Sequence, residues 1–397
     1  MKITYLHQYF NTPAMSGGTR SYEMARRLVA MGHEVNMITS WRDTDEKVRW
    51  FETDESGIKV HWLPVPYSNS MGFSERIRAF LKFAIQSARR AASLESDIVF
   101  ATSTPLTIAL PAVYAARRRR VPMVFEVRDL WPDVPYAIGA IKSRALFWIA
   151  GRLERFSYKA ATHIIALTPT MRDFISGKGV ALSKITSIPN LASLDAFSMG
   201  TKRNDTRTKT ILYCGNLGPA HGPEFLLELA KIFYDRQMQI KIEVVGGGKL
   251  LDRLMSDAGT HGCLGNAIFF HGPLPKKEVD HFYNEADATI MTIADCELLY
   301  RHSVQNKFFD SIAAGKPVIA NYRGYASELA ETMNAGLIVE RNNIAAAASK
   351  IADFLKDDEC LQRMGMNARQ LAEKDFDADL LARRLEHVLL SSRISSS

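Results

Sequence analysis

The chain has 397 residues, of which 47% are hydrophobic and 23% are charged. These proportions exclude a disordered or collagen-like chain, and the length suits two globular domains better than one. The net charge of +7 is uneven, because residues 1–200 hold 26 Lys and Arg against 17 Asp and Glu, whereas the remainder hold 24 against 26. A basic first half fits an anionic membrane surface or a phosphorylated substrate, or else a solvated face that serves solubility.

The sequence lacks the marks of a secreted, zinc-binding or membrane-spanning chain. Its four cysteines lie far apart without Cys-x-x-Cys spacing, which indicates reduced thiols. The opening MKITYLHQYF is typical of a first strand and has no signal-peptide cleavage pattern. The longest apolar stretch, 105–116, contains two prolines and is too short to span a bilayer. We therefore expect a cytoplasmic protein, one that can also lie peripherally on the inner face of the membrane.

Strand-like and helix-like segments alternate in the first half of the chain. Short apolar runs rich in β-branched residues predict strands at 2–7, 34–39, 97–101 and 122–127, and an amphipathic pattern predicts a helix at 21–31. Alternation of this kind predicts a parallel sheet with crossover helices.

The same alternation restarts after a polar stretch at 190–209, which contains TKRNDTRTK. Further strands are predicted at 210–214, 240–245, 267–270, 288–292 and 317–320. The fold class is therefore α/β, with two Rossmann-like domains at residues 1–195 and 196–375 and a terminal helix and tail at 376–397. Ligands of such sheets bind beyond the carboxyl ends of the strands, so the loops after the strands are the candidate sites.

A glycine pair follows the first predicted strand. Gly17 and Gly18 stand directly before a helix that Thr19 or Ser21 would cap, with Arg20 beside them. Glycines allow close backbone approach to a phosphate, and a helix N-terminus attracts anions. The spacing is not G-x-G-x-x-G, so a plain turn before a helix is the alternative.

A cation and a carboxylate stand one helical turn apart in HSVQNKFFDSIAAGKPVIAN at 302–321. Lys307 precedes Asp310 by three residues. A lysine can contact a diphosphate and a carboxylate can accept hydrogen bonds from both hydroxyls of a ribose. The alternative is an intrahelical ion pair at the surface.

That segment resembles glycosyltransferase family four, the retaining GT-B enzymes. The resemblance also includes the glycine loop and five further segments, and it covers nearly the whole chain. These segments are EVRDLWPD at 126–133, IPN at 188–190, YCGNLGPAHG at 213–222, VVGGG at 244–248 and FHGPLPKKEVDHFYNEAD at 270–287.

The resemblance implies a two-domain GT-B fold with the domains facing across a cleft and a terminal helix that crosses back to the first domain. It implies transfer of a sugar, with retention and without a metal, from a nucleotide-sugar that is UDP-linked to a lipid-diphosphate-linked or saccharide acceptor. The chain is most similar to the branch that builds O-antigen, capsule and related polysaccharides, which includes transferases of N-acetylated 6-deoxyhexoses of the N-acetylfucosamine type.

Donor-binding positions follow from the resemblance. Gly17 and Gly18 would face the diphosphate, and Asp310 would take the place of the second carboxylate of the E-x7-E motif, which holds the ribose. His302 stands eight residues earlier, where the family has its first carboxylate. The contact with the donor sugar is therefore changed.

The family's diphosphate-binding Arg and Lys are replaced here by Asn216 and His221. We expect Arg20 and Lys307 to supply the missing positive charge. The matching segments add four further donor-binding candidates: Gly246, Gly247, Pro273 and Leu274.

The EVRDLWPD segment supplies the candidate catalytic residues. Asp129 stands roughly where many family members carry a histidine that contacts the 6-hydroxyl of the sugar, with Glu126 and Arg128 beside it. Together with Lys307 these residues are predicted to act at the reacting centre, and the changed contact suggests a 6-deoxy sugar. The alternative is an Arg128–Asp133 ion pair that only stiffens the loop.

No metal or other cofactor is predicted. The chain contains Asp-x-Asp triplets at 43–45 and 377–379, but neither follows a core strand, and both are interpreted as solvated. In the retaining GT-B reaction the leaving phosphate accepts the acceptor's proton, so catalysis depends on positioning and electrostatics.

Basic amphipathic stretches suggest contact with a membrane. Aromatic and aliphatic residues alternate with Arg and Lys at 76–90 and 142–159, and four arginines stand at 117–120. Such helices can lie on an anionic bilayer. The alternative is that the apolar residues form a core face: Leu146, Phe147, Ile149, Leu153 and Phe156.

Three other classes of protein compete with a transferase. A nucleotide-sugar epimerase shares the architecture. An NAD-dependent oxidoreductase is disfavoured by the missing G-x-G-x-x-G, and a nucleic-acid-binding protein lacks a recognised binding module. We therefore expect no nucleic-acid partner.

Overall fold

The computed structural model describes residues 1–15, 17–43, 49–66, 71–197, 208–302 and 304–394. The chain divides into two compact units. Unit 1 comprises Met1–Thr12, Thr19–Pro189 and Asp379–Ser397, and unit 2 comprises Pro13–Gly18 and Asn190–Ala378. The glycine loop therefore belongs to unit 2, whereas the helix that follows it belongs to unit 1.

Unit 1 is built on a sheet of eight strands among the described residues. The strands are β1 Lys2–Leu6, β2 Glu34–Trp41, β3 Phe51–Glu55, β4 Ile58–Pro64, β5 Ile98–Thr102, β6 Met123–Val127, β7 His163–Ala166 and β8 Ile185–Ser187. Their order is β3-β4-β2-β1-β5-β6-β7-β8. All neighbours pair in parallel except β3, which pairs antiparallel with β4. Strands β5 and β6 are buried along their whole length, as central strands of a sheet covered on both faces must be.

Six α-helices precede the last strand among the described residues of unit 1. They are α1 Arg20–Ala30, α2 Phe73–Ser93, α3 Ala109–Arg119, α4 Asp133–Ala137, α5 Arg144–Ala160 and α6 Pro169–Gly177. The hydroxyls of Ser143 and Thr168 accept hydrogen bonds from the first turns of α5 and α6, so both helices begin at side-chain caps.

Unit 2 has a sheet of six parallel strands within its described part. The strands are β9 Lys209–Cys214, β10 Ile240–Val245, β11 Ile268–Gly272, β12 Ala288–Met291, β13 Val318–Ala320 and β14 Gly336–Ile338. Their order is β11-β10-β9-β12-β13-β14. The helices are α7 Glu224–Asp235, α8 Leu251–Thr260, α9 Lys276–Glu285, α10 Glu297–His302, α11 Asn306–Ala313, α12 Tyr325–Thr332, α13 Ile344–Lys356 and α14 Asp358–Asp375.

The last helix returns to unit 1. Helix α15 spans Ala378–Ile394. Arg27 of α1 pairs with Asp379, and His33 Nε2 lies 2.7 Å from Glu386 Oε1. The predicted α/β fold with two Rossmann-like units is confirmed, as is the predicted return of the terminal helix. None of the described helices is both long and apolar enough to cross a bilayer.

Candidate functional site

The glycine loop lies against the first turn of α11 in unit 2. Gly17 adopts a φ of +117°, a left-handed conformation that favours glycine. A Cβ atom at Gly18 would come within 2.4 Å of Asn306 Nδ2, so any side chain here would displace that amide. Glycine is needed in this loop because the loop packs closely against α11.

Lys307, the second residue of α11, is buried and directed at the carboxyl end of β9. Its Nζ lies 3.6 Å from the centre of the Tyr213 ring. Among the described residues, no atom accepts a hydrogen bond from this Nζ. Burial lowers the pKa of Lys307 to about 7. A buried ammonium without an anionic partner is costly, so the position is suited to an anion that arrives with a ligand.

Glycines leave room for this lysine. A Cβ atom at Gly215 would lie 2.9 Å from Lys307 Cε, and one at Gly246 would lie 1.9 Å from the Gly215 carbonyl oxygen. Gly215 therefore makes room for the lysine, and Gly246 allows the backbone after β10 to pack against the backbone after β9. Gly247 lies against Pro273, 3.5 Å from its ring as measured from an added Cβ, and Leu274 is half-buried next to it.

Asp310 pairs with a lysine that the sequence did not single out. Its Oδ1 accepts a hydrogen bond from Lys276 Nζ at 2.6 Å. The suggested Lys307–Asp310 surface ion pair is therefore wrong: Lys307 is buried over Tyr213, while Asp310 is held by α9. Lys276 could have been suspected only from its place at the start of the helix that follows β11.

His221 and Asn216 occupy the positions of the family's missing cations. Burial, with a contribution from Lys307, lowers the pKa of His221 to about 3, so this imidazole is neutral at neutral pH. Gln305 Nε2 donates to His221 Nδ1 at 3.1 Å and to the Thr292 carbonyl at 3.0 Å. Asn216 is exposed. Neither residue restores the positive charge. The described cations beside Tyr213 and Asp310 are Lys307 and Lys276.

His302, at the position of the family's first carboxylate, ends α10 and is half-buried. Asn190 of the IPN segment lies close to the same part of unit 2, because its Nδ2 donates to the Val304 carbonyl at 3.3 Å. This hydrogen bond joins the IPN segment to the residues between α10 and α11.

Arg20 and Glu126 do not have the predicted roles. Arg20 is buried, and its guanidinium donates to Glu126 Oε1 at 2.7 Å and to the carbonyls of Ile188 and Pro189. Thr102 donates to the other carboxylate oxygen of Glu126 at 2.6 Å. The prediction that Arg20 faces a diphosphate and that Glu126 is catalytic is therefore contradicted, because both side chains are used inside unit 1.

Asp129 and Arg128 lie at the edge of the unit 1 sheet. Asp129 is exposed, and its Oδ2 accepts a hydrogen bond from Thr104 Oγ1 at 2.9 Å. Arg128 is half-buried, with Nη1 at 3.3 Å from His7 Nε2. Both remain predicted site residues, and His7 joins them.

The alternative Arg128–Asp133 pair is wrong. Asp133 instead pairs with Lys178, which also donates to Glu154 at 2.7 Å. This network connects the start of α4 with α5 and α6.

The core-face explanation of α5 holds for only part of its apolar residues. Leu153 packs against the unit 1 core, whereas Ile149 is 57% exposed and Phe156 is 37% exposed. Trp148 is 59% exposed, with the Arg152 guanidinium 4.9 Å from its ring centre. An apolar and basic surface therefore remains uncovered on unit 1.

The described residues contain no group of three or more His, Cys, Asp or Glu side chains that could hold a metal ion. Of the Asp-x-Asp triplets, Asp43 is exposed and Asp45 lies outside the described residues, while Asp379 pairs with Arg27. Metal independence stays a prediction.

Comparison with known families defines the class of protein. Residues 17–191 match the glycosyl transferase 4-like domain, and residues 197–371 match the glycosyl transferases group 1 domain. The two matches together span most of the chain. The chain belongs to the glycosyltransferases and has the GT-B fold of two Rossmann-like domains.

Individual proteins are similar along the full length. The putative colanic acid biosynthesis glycosyl transferase WcaI of Escherichia coli (strain K12) is 23% identical, covering 94% of this chain and 96% of that protein. Sucrose-phosphate synthase from Thermosynechococcus elongatus has a TM-score of 0.80 at 16% identity over 100% of both chains. Anabaena HepE in complex with UDP-glucose has a TM-score of 0.72 at 16% identity over 98% of this chain and 100% of that one. These comparisons give the epimerase alternative no support.

Lys307 should reduce the stability of the ligand-free protein. Its folded-state pKa lies below the ordinary value, so the free-energy penalty is complete below about pH 7 and disappears as the pH rises toward 10.5. We expect Lys307→Met to raise the free energy of unfolding by about 2–4 kcal/mol at pH 6 and by much less at pH 9.5. Urea denaturation at both pH values measures this difference. The exposed Lys277→Met is the control, and an equal gain at both pH values would contradict the assignment.

Proposed function

We propose that this enzyme transfers a sugar from a UDP-sugar, with retention and without a metal, to a lipid-diphosphate-linked or saccharide acceptor in the synthesis of a bacterial surface polysaccharide. The observation that carries this proposal is the buried Nζ of Lys307, which has no hydrogen-bond acceptor in the described chain and lies over Tyr213 beside Gly215. A diphosphate would supply the missing negative charge.

The surrounding residues fit the remaining parts of a nucleotide. Asp310, which pairs with Lys276, would accept hydrogen bonds from the ribose hydroxyls. The loop of Gly17 and Gly18 places backbone without side chains at the start of α11. Gly246 lets the backbone after β10 pack directly against Gly215, beside Lys307. The UDP-glucose bound by Anabaena HepE supports uridine as the base.

Catalysis would rest on positioning and charge. The bond between the anomeric carbon and the diphosphate oxygen breaks while the acceptor oxygen bonds to the same face of that carbon. The acceptor's proton passes to the departing phosphate oxygen, whose charge Lys307 stabilises. Arg128 and Asp129 would contact the reacting sugars, and His302 would replace a carboxylate at the donor sugar. A 6-deoxy or N-acetylated sugar is the donor class that these changes favour.

The acceptor proposal is supported by the similarity to WcaI, a putative colanic acid biosynthesis transferase, and by the uncovered face of α5. Trp148 and Ile149 are exposed there, and Arg144, Arg152, Arg155 and Lys159 are exposed on the same helix. Apolar anchors flanked by cations bind the interface of an anionic bilayer. Docking of this face would bring the enzyme to a lipid-linked substrate.

Thermal unfolding with UDP, GDP, ADP and NAD, without metal and with a chelator, tests the donor class. UDP at 100 times its dissociation constant should stabilise the protein by about 2.7 kcal/mol, a shift of about 5–10 °C for a unit of this size, and the chelator should change nothing. Asp310→Asn should reduce the shift, whereas Asp353→Asn on the exposed face of α13 should not. Stabilisation by NAD alone, or only with a divalent metal, would refute the proposal.

Co-sedimentation with vesicles tests the membrane proposal. The protein should bind vesicles that contain phosphatidylglycerol, bind phosphatidylcholine vesicles weakly, and dissociate as salt is raised. Trp148→Glu should lower the partition coefficient on the order of tenfold, because it removes an apolar anchor and adds a repulsive charge. Met366→Glu, at an exposed apolar position of α14, is the control. Equal loss in both variants, or binding that ignores salt, would argue against docking through α5.

A further inference from the structure

Four polar side chains gather at the carboxyl edge of the unit 1 sheet. His7 and Gln8 follow β1, Arg42 follows β2 and Arg128 follows β6. Because β2 pairs with β1, and β5 alone separates β1 from β6, parallel pairing places all four at one end of adjacent strands. The position is where open α/β sheets bind ligands.

His7 and Gln8 are buried without complete hydrogen bonding. His7 is 3% exposed and Gln8 is 1% exposed. Within the described chain, neither His7 Nδ1 nor either side-chain atom of the Gln8 amide has a hydrogen-bond partner. The Gln8 backbone is held firmly, since its carbonyl accepts from Ser40. Buried polar groups of this kind cost free energy unless a ligand or water satisfies them.

The unpaired Nδ1 atom of His7 is a hydrogen-bond donor. Burial lowers the pKa of His7 well below its usual range, and Arg128 and Arg42 lower it further. The imidazole is therefore neutral. Because its Nε2 faces Arg128 Nη1 and accepts from it, the proton sits on Nδ1. The site thus offers an imidazole N–H group and an amide, with the guanidinium groups of Arg128 and Arg42 near the imidazole.

The charges of the two arginines are not compensated by a direct partner. Among the described residues, neither Arg42 nor Arg128 forms an ion pair. Arg42 donates to the neutral amide of Asn11, and the exposed carboxylate of Asp43 acts on its charge without a direct contact. Glu126 is near Arg128, but its oxygens accept from Arg20 and Thr102. A neutral ligand could satisfy the amide, yet it would leave both guanidinium groups without a direct ion-pair partner. An oxyanion satisfies both requirements, since the guanidinium fork suits phosphate and carboxylate oxygens.

The neighbouring loop shows backbone strain. Thr104, which donates to Asp129, has a φ of +99°, a conformation that is rare for a β-branched residue. Such outliers concentrate at ligand-binding positions.

We propose that His7, Gln8, Arg42 and Arg128 form an oxyanion subsite in unit 1 that holds a phosphate or carboxylate group of the acceptor. This rests on the proposed transferase function, because it assigns the anion to the second substrate. The acceptor then carries a negative charge close to the hydroxyl that is glycosylated, and an uncharged sugar is a poor substrate.

Thermal unfolding of the full chain with inorganic phosphate and with glucuronate tests this subsite. UDP is kept saturating, so that the region of Lys307 is occupied, and sodium chloride matches the ionic strength. At ten times its dissociation constant, the anion should add a shift of about 3–6 °C. Arg128→Gln should abolish this shift while keeping the shift due to UDP, and Arg118→Gln, at an exposed arginine of α3, should keep both.

The same titration in the Lys307→Met variant without nucleotide separates this proposal from the donor proposal. An anion shift there supports the subsite even if UDP fails to bind the native enzyme. A response to phosphate indicates a phosphate-linked acceptor, and a response to glucuronate indicates an acidic sugar. No shift with either anion, or a shift that persists in Arg128→Gln, overturns the proposal. Buried water would then be the hydrogen-bond partner of His7 and Gln8.

Discussion

A buried ammonium without a hydrogen-bond acceptor in the described chain is the constraint on which the donor site depends. Lys307 lies over the Tyr213 ring, and Gly215 and Gly246 lack side chains because any Cβ would occupy the space that the lysine and the backbone need. Apolar packing of Phe308 and Phe309 secures α11 and so opposes this penalty. A site that is unfavourable when empty is favourable when a diphosphate enters.

The two units treat their buried charges differently. In unit 1, Arg20 and Glu126 form a buried ion pair, and Arg20 also donates hydrogen bonds to the carbonyls of Ile188 and Pro189. In unit 2, the buried Nζ of Lys307 has no hydrogen-bond partner among the described residues. A buried charge with a partner fixes the local structure, whereas a buried charge without one can bind a ligand of opposite charge. This contrast distinguishes structural from functional charges better than residue type does.

Local pattern predicted more of the fold than of the site. Apolar runs placed the central strands to within a few residues, but the edge hairpin of β3 and β4 and the short β7, β8 and β14 were missed because their runs are short or polar. The glycine pair and Lys307, which motif and resemblance singled out, come together at the start of α11. The direction of the Arg20 guanidinium could not be predicted, since its partner Glu126 is 106 residues away, and Lys276 meets Asp310 only through the tertiary fold.

The most direct test of the central claim is the affinity for UDP between pH 7.5 and 9.5, measured by calorimetric titration in the native enzyme and in Lys307→Met. The terminal phosphate of UDP is fully ionised throughout this range. Because the diphosphate should bind the protonated lysine, whose pKa is about 7 without ligand, the association constant should fall about tenfold per pH unit in the native enzyme. The variant should bind weakly with no such slope. Equal affinity at both ends of the range, or an unchanged slope in Lys307→Met, would contradict the account.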